Sequence, residues 1–199
     1  MAALGREKPT LTYRPPAGDD ERPVATEIVV GPQGSDFAFR VEFDRVPWGE
    51  ECKNRCANAT VFVDTDSNKA TGLQLNDKTA AETGADLAVT IQGVREFKDV
   101  SADVLLRVRV RVLSDANASA DEGEMVGELD HRRDPDRVHV DGKTVYVLVD
   151  ATTGSLPTGP KMRVIYHPPG AKALVGTIKG QLAMGAGKVE IFKQGKRAK

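Results

Sequence analysis

Asp64, Asp66 and Asn68 stand at alternate positions directly after an apolar run, within Asp64-Thr65-Asp66-Ser67-Asn68. A turning backbone brings oxygens at this spacing to one focus, and hard oxygens suit a hard divalent cation such as Ca²⁺. Two carboxylates gathered without a cation repel each other, so the arrangement favours occupancy. Gly72 supplies a backbone able to turn back sharply. The loop is not an EF-hand: counting from Asp64, the sixth residue is Lys69 rather than Gly, and the twelfth is Leu75 rather than Glu. The same spacing also suits a plain turn closed by Asx hydrogen bonds, with no cation at all.

Other residue types offer less chemistry. Cys52 and Cys56 are the only cysteines, too few for a four-cysteine zinc site and one residue too far apart for a CxxC redox centre. A short local disulfide is the favoured reading, with free thiols as the alternative. A bridge implies an oxidising compartment; closing so short a ring, it stabilises the loop more than the fold. Trp48, the single tryptophan, follows Pro47 beside these cysteines. It is either an exposed platform on which a sugar stacks or the cap of a core edge. His131-Arg132-Arg133-Asp134, flanked by Asp130 and Asp136, reads as a network of charge pairs rather than acid/base machinery. There is no nucleophile elbow, zinc-protease helix or P-loop, so the expectation is a protein that is not an enzyme. Asn58-Ala59-Thr60 and Asn117-Ala118-Ser119 fit the N-glycosylation pattern, which arises often by chance.

The elements that must position these groups are strands. Phe37, Phe39, Val41 and Phe43 alternate with Ala38, Arg40 and Glu42, the period of a half-buried strand. Val24–Val30, Thr60–Val63, Asp86–Gln92, Val104–Leu113, Arg137–Val140, Thr144–Val149, Lys161–Tyr166 and Ala173–Lys179 carry comparable signals, and Val189–Phe192 is a short last candidate. Asp141-Gly142-Lys143 suits a hairpin turn. A helix over Glu50–Ala57 would set both cysteines on one face, and residues 115–136 read as one long exposed loop. Residues 1–23 are an extended, proline-bearing arm, 24–192 the folded domain, and 193–199 a basic tail. This pattern gives an all-β fold: a single antiparallel β-sandwich, jelly-roll or immunoglobulin-like.

Bulk properties limit the partners. Lys and Arg number 28 against 29 Asp and Glu, a net charge of −1, which provides no field to steer toward nucleic acid. No apolar run reaches the roughly 18 residues of a membrane span. The first residues lack the apolar core of an export signal, which read plainly means cytoplasmic. The cysteine pair tips the expectation to a secreted, periplasmic or cell-surface protein whose export signal has been removed.

Phe62-Val63-Asp64-Thr65-Asp66-Ser67-Asn68 with Thr71-Gly72, followed by Gly84-Ala85-Asp86-Leu87-Ala88-Val89, resembles family-nine carbohydrate-binding modules and their DOMON-like relatives. Phe37–Phe43 is similar to the strand preceding the loop in those families, and the close likeness spans residues 36–92. The resemblance implies a β-sandwich with structural Ca²⁺ held by Asp64, Asp66 and Asn68, with Asp86 as a fourth oxygen folding back from the next strand. It also implies a glycan or cell-surface polymer as ligand, with Trp48 as the stacking ring. The chain departs from the sugar-binding pattern in having only 5% aromatic residues. This favours the alternative, a structural or protein-interaction module of the same fold. Some DOMON-like relatives hold haem through Met, His or Lys; the residues here are Met125, Met162, Met184, His131, His139 and His167.

Overall fold

The computed structural model describes residues 10–14, 22–33, 36–49, 56–74, 83–98, 101–150, 161–169 and 172–179. Among the described residues there are eleven strands: β1 Thr10–Thr12, β2 Ala25–Gln33, β3 Asp36–Phe43, β4 Asn58–Asp64, β5 Leu87–Lys98, β6 Ser101–Val112, β7 Glu124–Asp130, β8 Val138–Asp141, β9 Thr144–Asp150, β10 Lys161–Tyr166 and β11 Leu174–Lys179. They form a five-stranded sheet, β1-β2-β3-β9-β8, and a six-stranded sheet, β11-β10-β4-β5-β6-β7. Every strand pairing is antiparallel, and among the described residues there is no α-helix.

The two sheets share one core, which makes the fold a β-sandwich. Ile28, Val30, Phe37, Phe39, Val41, Val145 and Val147 of the first sheet meet Val61, Val63, Val89, Ile91, Leu106, Val108 and Val164 of the second, all buried. Fully burying such a side chain stabilises the fold by about 1.5–3 kcal/mol. A smaller apolar cluster lies on the outer face of the six-stranded sheet, where Leu73 and Ala85 from the acidic loop cover Phe62, Ala88, Leu113 and Ile165. This second cluster ties the loop down onto the strands that flank it.

Several segments depart from the sequence reading. Thr10–Thr12, inside the arm, pairs with Glu27–Val29 as an edge strand. The stretch read as one exposed loop over 115–136 contains β7, whose register on β6 sets Glu128 opposite Arg109. Glu128 there accepts from Arg109 Nε at 3.1 Å and lies 3.5 Å from Arg107 Nε. β7 is an edge strand held by the ladder, by the charge pairs and by Val126 and Leu129, which pack half-buried against the core. The hairpin at Gly142-Lys143 is present, with Asp141 opposite Thr144 and Gly142 at a φ of 56°. Of the helix expected over Glu50–Ala57, only Cys56 and Ala57 are described, and both are non-helical. Residues 193–199, Val189–Phe192 and Met184 lie outside the described residues.

Candidate metal centre

β4 delivers Asp64 at its last position, and β5 begins immediately after Asp86. The chain between them is folded back by a two-way bridge, Leu73 N to Ala85 O at 2.7 Å and Ala85 N to Leu73 O at 3.3 Å. Asp86 N then donates to Val63 O at 2.9 Å, which sets Asp86 beside the end of β4. Two glycines permit the fold-back. Gly72 has a φ of 70° and Gly84 a φ of 56°; a Cβ on Gly72 would run into the Ala85 carbonyl, and one on Gly84 would come within 2.7 Å of the Lys69 Cα.

The turn itself is closed by its own polar side chains. Asp66 Oδ1 accepts from Asn68 N at 2.7 Å, and Asn68 Oδ1 accepts from Ala70 N at 3.1 Å. Thr71 Oγ1 donates to Asn68 O at 2.9 Å and lies 3.3 Å from Asp66 Oδ2. Ser67 takes a left-handed φ of 57°, and its hydroxyl reaches across to Lys161 O at 2.8 Å. Asx bonding and carboxylate convergence therefore occur together rather than as alternatives.

One oxygen from each of Asp64, Asp66 and Asp86 lies within 4.8 Å of the others. At this separation an unscreened carboxylate pair in a partly buried setting repels by about 3 kcal/mol. Asp64 is 0% exposed and Asp86 2%. Asp86 Oδ2 accepts from both the amide and the hydroxyl of Thr65, at 2.8 and 2.9 Å. Even so, burial first, and then the charges of Asp66 and Asp64, push the Asp86 carboxyl up to about 6. Burial also raises Asp64, with Asp66 adding to the effect and Arg163 opposing it. Asp64 Oδ2 is held by Arg163 Nε at 2.6 Å, whereas Asp64 Oδ1 is buried with no hydrogen-bond partner among the described residues. A buried, unsatisfied carboxylate oxygen is costly, and a divalent cation at this focus would satisfy it and screen the three charges at once.

Of the residues singled out in the sequence, Asp64, Asp66 and Asp86 are brought together. Asn68 is exposed and its side-chain oxygen closes the turn. Two participants escaped the sequence reading. Thr65 orients Asp86, and Arg163, ninety-nine positions from Asp64, pairs with it. A lone arginine inside Met162-Arg163-Val164-Ile165-Tyr166 was the available signal; its partner is set by strand order alone.

The other candidates lie elsewhere. Trp48 is half-buried, packs against the core, and its ring centroid stands 4.3 Å from that of His131. His131 Nδ1 in turn accepts from Leu106 N at 3.2 Å. His139 lies beside Tyr146 on neighbouring strands, His167 is edge-on to Phe62, Met162 is in the core and Met125 is exposed. Asp130 accepts from the amides of Arg132 and Arg133, at 2.9 and 2.8 Å, and from the Arg133 guanidinium. These bonds overcome its burial and hold the carboxyl down to about 2, as suits a turn clamp. Cys56 is not a free thiol, while Cys52 lies outside the described residues.

Comparisons with family models, with curated proteins and with solved structures returned no match.

Proposed function

We propose that the chain is an extracytoplasmic β-sandwich binding module fastened by a Ca²⁺ ion at Asp64, Asp66 and Asp86, and that it recognises a glycan or cell-surface polymer. The observation carrying the cation reading is the buried, unpartnered Asp64 Oδ1 beside two further carboxylates. An all-oxygen donor set suits Ca²⁺ better than a soft transition metal. The choice of ligand rests on the resemblance of residues 36–92 to family-nine carbohydrate-binding modules. A Cys52–Cys56 bridge, Asn68 as a further ligand and a secreted, periplasmic or cell-surface setting belong to the same reading.

Saturating Ca²⁺ should raise Tm over EDTA by roughly 5 °C or more at a hundredfold excess over Kd, by mass action on the folded state. Asp64→Ala should erase that difference. An unchanged melt in decalcified wild type would sink the cation.

A second reading has its own observation: Trp48 is committed to the core and to His131. This favours a structural or protein-interaction module of the same fold, without a sugar site. Pull-down on insoluble polysaccharides separates the two. Binding that is lost in Trp48→Ala supports the glycan reading, and no binding to any polysaccharide favours the interaction module.

A further inference from the structure

Arg163 and Asp64 are cross-strand partners in the β10–β4 ladder, so their side chains leave the sheet on the same face. The guanidinium is fixed from both ends: Nε and Nη2 both engage Asp64 Oδ2, and Nη2 also donates to Thr83 O at 2.8 Å. Its side chain is only 12% exposed. The close approach of Gly84, where a Cβ would come within 3.1 Å of Nη2, leaves it little room to swing away.

This fixes what the site can offer a cation. Asp64 Oδ2 is occupied by two donors, so Asp64 contributes Oδ1 alone, the buried oxygen without a partner. Asp86 Oδ2 is likewise occupied by Thr65. Both buried carboxylates are thereby restricted to one oxygen each. The charge count follows the same logic: three ionised carboxylates bring −3, and the guanidinium returns +1. The remaining −2 is balanced by one divalent ion and overbalanced by a trivalent one.

Resting on the cation reading above, we propose that Arg163 is a positioning and charge-setting residue that makes this a divalent-selective site, by withholding one Asp64 oxygen and cancelling one of three negative charges. Removing its charge releases that oxygen and leaves −3 at the focus, which strengthens attraction to a trivalent ion more than to a divalent one, because the Coulomb energy scales with the product of charges.

The test is calorimetric titration of the full chain with CaCl₂ and, separately, LaCl₃, for wild type and for Arg163→Gln, Arg163→Met and Arg163→Lys. The readout is the ratio of La³⁺ to Ca²⁺ affinity, which a merely structural role would not move. Arg163→Gln should raise this ratio about tenfold or more; Arg163→Met, which keeps the apolar stem, should do the same and serves if the Gln variant fails to fold. Arg163→Lys, which keeps the charge, should leave the ratio closer to wild type than either neutral variant does. A ratio unchanged in the folded neutral variants, or shifted equally in Arg163→Lys, overturns the role of Arg163. Wild type that binds neither ion removes the cation reading itself, a separate outcome.

Discussion

Asp86 is where the chemistry of single residues is most testable. Its carboxyl, pushed up to about 6 mainly by burial, holds a proton in the cation-free fold that the unfolded chain releases near the ordinary value of 3.8. The folded state thus binds more protons between these values, and cation-free stability should fall as pH rises from about 4 to above 6. The total is on the order of 2–3 kcal/mol. Asp86→Asn should flatten that slope in urea titrations with EDTA at pH 4.5 and 7.5. On the proposed calcium reading the sign reverses, because the cation requires the ionised form. Its affinity should weaken as pH drops through about 6, measured by calorimetry across that range.

At the scale of elements, the acidic loop depends on backbone freedom at particular positions. Gly72 and Gly142 both have positive φ, but only Gly72 faces a carbonyl that an added Cβ would strike, whereas Gly142 faces open space. Gly142→Ala should cost about 1 kcal/mol for its left-handed conformation. Gly72→Ala should cost about 2 kcal/mol or more, and should also weaken calcium binding, because the bridge that returns Asp86 to Asp64 must shift. Denaturant melts of both variants, with and without Ca²⁺, provide the comparison. Equal costs would show that the Leu73–Ala85 contact does not govern the loop. β7 illustrates the converse at element scale: it is held by the β6 ladder, by Glu128 facing Arg107 and Arg109, and by Val126 and Leu129 against the core.

At the scale of the molecule, one core joins both sheets, and the candidate metal centre lies beyond it beside the smaller cluster around Phe62 and Leu73. Loss of core packing should therefore lower stability without abolishing the calcium response, so long as the chain folds. Phe39 is 0% exposed at the centre of β3. Phe39→Ala should cost about 3–5 kcal/mol, with the Tm difference between Ca²⁺ and EDTA retained. Differential scanning calorimetry of the variant in both buffers checks this; loss of the calcium increment would mean that site and core are one cooperative unit.

The period-two alternation in Phe37–Phe43 and Thr144–Val149, and the turn at Gly142-Lys143, made the sheets legible from sequence, because pleat geometry and glycine's left-handed freedom are local properties. Asp64 and Asp66 were legible for the same reason, being two residues apart in one turn. Three matters were decided only by the tertiary structure. β7 has only a weak local signal, since Val126 and Leu129 do not keep a period of two and its register on β6 shifts at Val110/Arg111. Asn68 Oδ1 accepts from Ala70 N and closes the turn, a contact that depends on the loop's actual path. Arg163 meets Asp64 because β10 lies next to β4, and no spacing along the chain encodes which strands become neighbours in a sandwich. The local sequence specified the acidic turn; strand order supplied the arginine that pairs with it.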